Sequence, residues 1–157
     1  MDTNARISIF LLRIAMAWYF LYAGFSKIFS PEWSAAGYLG NAKTFSNFYG
    51  WFARPENLGW VNFLNEWSIA LVGVALLLGI MVRFASFGGV LLMVLYYFPT
   101  LEFPFAGPHA LLLDEHVIYA LVFVLLIVCK AGMHWGIDGV LKKTSLGSNK
   151  IFRFIVG

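Results

Sequence analysis

Residues 66–83 read Glu-Trp-Ser-Ile-Ala-Leu-Val-Gly-Val-Ala-Leu-Leu-Leu-Gly-Ile-Met-Val-Arg. The stretch is uncharged between its end residues. It belongs to an apolar segment over about residues 61–80, which as a helix rises about 30 Å, the thickness of a bilayer's hydrocarbon core. A span with Glu66 near one end and Arg83 just past the other sets the theme of the chain. Charges are few, and they sit inside or at the edges of apolar segments, where each is costly unless it has a partner or borders a water-filled cavity.

Three further segments read the same way, at about 7–29, 84–98 and 116–131. The segment 84–98, closed by Pro99, is short for an upright crossing and requires tilt, a thinned bilayer or extension toward Phe103. Ala15-Met16-Ala17 resembles a signal-peptidase site, but the apolar run before it is short and continues through it, so the first segment is read as a retained span. The composition agrees: of 157 residues, 61% are hydrophobic and 12% charged, about half the charge of a soluble domain. The sequence therefore predicts an all-α integral membrane protein, a four-transmembrane-helix bundle forming one domain over residues 1–140. A basic cytoplasmic tail follows over 141–157. Residues 31–60, rich in aromatic side chains, are expected to form an interfacial helical segment between the first two spans.

Several function classes are excluded. The net charge of +3 carries no Lys/Arg stripe suited to nucleic acid. Cys129 is the one cysteine, which excludes an intrachain disulfide, a Cys-ligated zinc and an iron–sulfur cluster within the chain. His109, His116 and His134 lie at unmatched depths, against a bis-histidine haem. No Gly-rich phosphate loop is present, so neither a flavin nor a nucleotide is expected. Asp114, Glu115 and His116 are sequence neighbours that point apart on a helix, against a metal site.

Orientation gathers the remaining charges. Arg6, Arg83, Lys130, Lys142, Lys143, Lys150 and Arg153 fall on one side; Lys43 and Arg54 fall on the other. The positive-inside rule puts both termini in the cytoplasm, with the chain integral to the cytoplasmic membrane. Lys27, Glu66 and the run Asp114-Glu115-His116 then share the outer half, and Arg13, Arg83 and Asp138 the inner half. Arg13, Ala17, Phe20, Gly24 and Lys27 make one helical stripe; Glu66, Ala70, Gly73 and Leu77 make another. Small residues on both stripes allow close approach of two helices, and Gly88-Gly89 reads as a further close contact. Glu66, Glu115 and His116 are the candidate catalytic groups, suited to proton transfer. Lys27, Trp67 and Asp114 are the candidate substrate-binding groups. Arg13, Arg83 and Asp138 read as a structural charge cluster. Such an outer cluster suits a quinone head group or a soft anion, since quinone reduction consumes protons. The competing reading makes Lys27 and Glu66 a structural salt bridge.

In order, Leu12-Arg13, Ala23-Gly24-Phe25-Ser26-Lys27, Glu66, Gly73, Leu76-Leu77-Leu78-Gly79, Arg83, His116, Ala131-Gly132 and Trp135-Gly136-Ile137-Asp138 resemble the DoxX/DoxD-like membrane proteins over about residues 6–140. The aromatic loop and the Trp-Gly-Ile-Asp ending look more like the DoxD branch. The resemblance implies a four-helix bundle and a role as small subunit of thiosulfate:quinone oxidoreductase, with quinone bound as substrate. It also implies a second, DoxA-like subunit as partner; a homo-oligomer is the other arrangement. Two non-enzymatic alternatives stand beside it. One is a membrane scaffold or assembly subunit that docks a redox partner. The other is a small transporter or lipid-binding bundle, against which the chain shows no inverted repeat.

Overall fold

The computed structural model describes residues 1–107, 109–144 and 155. Helix α1, Thr3–Ile28, starts where the Asp2 carboxylate accepts the Ala5 N–H at 2.8 Å, an N-cap that satisfies one of the orphan donors of the first turn. Helices α2, Ala36–Gly40, and α3, Ser46–Phe52, lie in the following connection. Helix α4, Pro55–Leu78, starts a turn and a half before the expected Val61, because Pro55 fits the first helical turn, where no N–H is needed. It ends at Gly79, whose φ of 64° lets Gly79 N–H reach the Leu76 carbonyl and Ile80 N–H the Ala75 carbonyl, the Schellman pattern.

Helix α5, Val82–Thr100, carries Pro99 inside its last turn and does not stop before it. Proline removes the N–H that would have bonded Leu95. The Tyr49 hydroxyl of α3 donates to that carbonyl at 3.0 Å, and the Tyr38 hydroxyl of α2 donates to the adjacent Tyr96 carbonyl. Lys43 N–H adds a bond to Pro99 O at 2.9 Å. The carbonyl that the proline frees is thus taken up by α3, and α2 docks beside it on the next carbonyl. Helix α6, Glu115–Val128, is followed by a 3₁₀ turn, Ala131–Met133, and by α7, Ile137–Leu141. The expected basic tail, with Lys150 and Arg153, falls mostly outside the described residues.

Helices α1 and α4 form one packed pair and α5 and α6 another, joined through α4 and α5. The small residues set the first contact. A Cβ on Gly24 would lie 2.6 Å from the Ala70 nitrogen, and one on Gly73 would lie 2.6 Å from the Leu21 nitrogen. Of the two expected stripes, Arg13, Ala17, Phe20, Gly24, Ala70 and Gly73 are buried. Leu77 is not; it is 43% exposed, and Leu76 takes its place in the core shared with Val82, Leu126 and Ala131. The buried face of α4 has turned toward α5 and the turn after α6 by that point. Gly89 packs against the Phe123 ring of α6, whereas Gly88 faces open space.

Leu11, Trp18, Leu71, Phe84, Leu91 and Leu121 are each more than half exposed. An apolar exterior of this extent belongs in lipid. Helices α1, α4 and α5 are long and apolar enough to cross a membrane. Helix α6 has 14 residues, about 21 Å at the α-helical rise, and is shorter than a hydrocarbon core.

Candidate functional site

The polar residues gather at the two ends of the bundle. At one end Arg13 is buried between α1 and the segment after α6. Its guanidinium donates to Ala131 O at 2.9 Å and to Trp135 O at 3.2 Å, and its Cζ lies 5.2 Å from the Phe10 ring centre. Asp138 is fully buried beside it. One carboxylate oxygen accepts Met81 N–H at 2.7 Å and the other accepts Val82 N–H at 3.0 Å, so the side chain caps α5, while Asp138 N–H donates to Gly79 O at 2.9 Å. An anion at a helix N-terminus is favourably placed. Burial pushes the Asp138 carboxyl up, against the opposing pull of Val82 N–H, Met81 N–H and Arg13. Glycines make the space: a Cβ on Gly79 or on Gly136 would lie 2.6 Å from Arg13 Nη1. Arg83 occupies the same first turn of α5.

At the other end, α1, α2, α4, α5 and α6 surround a cavity of about 320 Å³. Lys27 enters from the last turn of α1. Its Nζ donates to Ala23 O at 3.2 Å and lies 5.5 Å from the centre of the Trp33 ring, a cation–π distance. His116 enters from the first turn of α6. Its Nδ1 is 2.6 Å from Asp114 Oδ2, while Asp114 Oδ1 accepts the His116 and Val117 N–H groups at 3.0 and 3.2 Å. The carboxylate can only accept, so the contact places a proton on Nδ1 and leaves Nε2 as the group free to take up or release a proton.

From α4 comes Asn65, whose Nδ2 donates to the Tyr96 hydroxyl of α5 at 2.5 Å. Its Oδ1 is buried and has no hydrogen-bond partner among the described residues. An acceptor left in that state costs about 1–3 kcal/mol, which a ligand donor would offset. Tyr19, Phe20, Trp33, Tyr38 and Tyr119 add aromatic walls. Burial, followed by the neighbouring phenols of Tyr96 and Tyr49, pushes the Tyr38 hydroxyl above its usual range, so Tyr38 is a hydrogen-bond donor at neutral pH.

The structure therefore brings Lys27, His116 and Asp114 together and leaves other expected residues outside. Lys27 and Glu66 do not meet as an ion pair; Glu66 acts on the ammonium only through space. Glu66 does not line the cavity because it is on the α4 face that packs α1, together with Ala70 and Gly73. Val61, Asn65 and Ile69, four residues apart, form the adjacent face that does. Trp67 is 43% exposed and lies against Phe63, ring centres 6.1 Å apart and tilted, on the outer side of α4. Glu115 is exposed, rotated away from its neighbour His116. Asp114 lends its oxygens to the helix cap and the imidazole, which makes it a support for His116 more than a ligand for substrate. Sequence reasoning missed Asn65 and Tyr96. An asparagine inside an apolar helix was the available signal for the first.

The chain matches the DoxX family over residues 8–100, more than half its length, from the second turn of α1 through the end of α5. No curated protein and no solved structure matches it. The matched stretch carries Arg13, Lys27, Asn65 and Tyr96, while His116 and Asp138 follow it and close the two ends described above. The chain is a membrane protein, and it belongs to the DoxX family.

Proposed function

We propose that this protein is the membrane subunit of a quinone-linked oxidoreductase that oxidises thiosulfate. The balanced reaction takes two thiosulfates, one quinone and two protons to one tetrathionate and one quinol. The observation that carries the reading is the pairing, in one aromatic cavity, of a lysine ammonium with an imidazole held by a carboxylate. Lys27 suits a thiosulfate oxyanion or a quinone oxygen that gains negative charge. His116 Nε2 suits delivery of a proton to that oxygen, with Asp114 fixing the ring. Glu66 supplies counter-charge behind Lys27. A volume of about 320 Å³ is at the small end of ligand pockets and fits a head group.

In this reading α6 is the fourth span. His116 at its start meets Tyr96 with ring centres 5.8 Å apart, and Ala131 after its end meets Arg13, so the helix joins both polar ends of the bundle despite its length. Helices α2 and α3 lie in the interface as the cavity's cover. The charge bias puts the cavity on the outer side of the cytoplasmic membrane and both termini inside. A second subunit of the DoxA type, or another copy of the chain, completes the enzyme.

The test uses the protein in nanodiscs, alone and with a candidate second subunit, supplied with thiosulfate and a quinone analogue. Quinone reduction is expected. Lys27→Ala and His116→Ala should each lower it about 100-fold, the scale of a lost acid–base group, with helix content and melting unchanged. Normal turnover in both variants, or none in the intact protein under every condition, rejects the reading. Loss of stability without change in turnover makes these groups structural and favours the scaffold alternative.

A further inference from the structure

A second cavity, of about 310 Å³, lies between the short helices α2–α3 and the spans α4–α5. Its character is different. Phe48, Phe52, Trp60, Leu64, Leu92 and Leu95 supply carbon walls. Two of its three phenols have their donors engaged elsewhere, Tyr38 to Tyr96 O and Tyr49 to Leu95 O at 3.0 Å, and the third, Tyr96, takes the Asn65 amide. Such a space offers water few of the two to four partners it needs. Leu64 and Phe48 on its rim are 51% and 50% exposed on the apolar outer surface, so the cavity borders the bilayer. Tyr38, Leu39, Val61, Asn65 and Tyr96 line this cavity and the Lys27–His116 cavity alike. One layer of side chains separates an apolar compartment from a polar one, and the unpartnered Asn65 Oδ1 sits in that layer.

We propose that the apolar cavity binds the hydrocarbon chain of an amphipathic ligand whose polar head occupies the Lys27–His116 cavity, with Asn65 and Tyr96 at the junction. Naming the head as a quinone rests on the function proposed above; the chain site rests on the apolar walls and the shared layer alone. The Asn65 oxygen is placed to accept a hydrogen bond from a head-group hydroxyl, as on a quinol. A short chain therefore gains the head access without the cost of leaving carbon exposed to the polar compartment.

The test compares two benzoquinones with the same head, one tailless and one bearing a decyl chain, binding to the full chain in nanodiscs. A third probe carries a photoreactive diazirine at the end of the decyl chain. The tailed probe should bind at least about tenfold more tightly than the tailless one, as burial of several methylenes requires. Cross-links should fall on peptides containing Phe52, Trp60 or Leu92. Ser68→Phe, which fills the cavity from α4, should reduce the advantage of the tail to less than about threefold and leave tailless binding unchanged. Leu92→Trp, filling it from α5, is the second variant should the first not fold. Cross-links confined to other surfaces, or a full tail advantage in both folded variants, overturn the proposal. A tail cross-linked here with no binding of the tailless head overturns the quinone reading and leaves the chain site standing. Failure of tailed and tailless probes together overturns both.

Discussion

The two ends of this bundle hold similar residues and use them in opposite ways. Around Arg13 and Asp138 most of the charged atoms are directed at backbone: two carbonyls for the guanidinium, two N–H groups for the carboxylate, and glycines that let these atoms approach, although Arg13 Nε is buried without a hydrogen-bond partner among the described residues. Around Lys27 and His116 the charged atoms border a cavity, and a buried acceptor on Asn65 is left without a partner. A buried charge surrounded by backbone partners joins segments that are distant in the chain. A charge beside an unfilled cavity has free capacity for a ligand. Mutations should therefore affect stability at the first end and turnover at the second.

The largest effect is expected from Asp138→Ala. It removes two charge-assisted bonds that cap α5, each about 1.5–3 kcal/mol, and takes away the negative charge that acts through space on Arg13. Melting in detergent should shift far down or the protein should fail to accumulate. Asp138→Asn, which keeps one acceptor oxygen, should recover part of the loss. Unchanged melting in Asp138→Ala would show that the clasp is not structural and would remove the contrast between the two ends.

Next in size is Asp114→Asn. Asparagine is as good an N-cap as aspartate, so α6 should keep its stability within about 0.5 kcal/mol. Its amide, however, can donate to Nδ1 and shift the imidazole to the other tautomer. Quinone reduction should fall at least about tenfold, while melting stays put. Equal losses in melting and turnover would make Asp114 a cap and nothing more.

These two aspartates also show what was legible in the sequence. The all-helical fold and the apolar spans follow from long apolar runs, and the α1–α4 contact follows from Gly24, Ala70 and Gly73 at helical spacing. Asp138 was legible as a structural charge because it lies just past the last apolar segment on the same side as Arg13 and Arg83. The cavity was only partly legible. Lys27 and His116 stand out as polar residues at the ends of apolar helices, but depth along a helix does not give rotation around it. Glu66 and Asn65 differ by one residue and by about 100° of rotation, and only the packed pair α1–α4 decides that the asparagine faces the cavity. Tyr38, Tyr49 and Tyr96 were less legible still, since Tyr96 acts through its hydroxyl's bond to Asn65 and the other two through α5 carbonyls, of which a proline in the next turn leaves only the Leu95 one free.

That proline supports the smallest prediction, Tyr49→Phe. Tyr49 is 4% exposed, and its hydroxyl donates to the Leu95 carbonyl that Pro99 cannot serve. Removing the hydroxyl leaves the carbonyl unpaired at a cost of about 1 kcal/mol, enough to loosen α3 from α5 without unfolding the bundle. The same bond has a pH signature. Burial pushes the Tyr49 phenol above its usual value near 10. The folded state therefore favours the protonated phenol, so the bond's contribution is complete below pH about 10 and is lost as pH rises through the raised value. Melting of the intact protein should fall on that alkaline side, and Tyr49→Phe should remove part of the fall while starting from a slightly lower value. An alkaline slope identical in both proteins would mean that α3 is held by its apolar rings alone, and that the carbonyl freed by Pro99 does not recruit it.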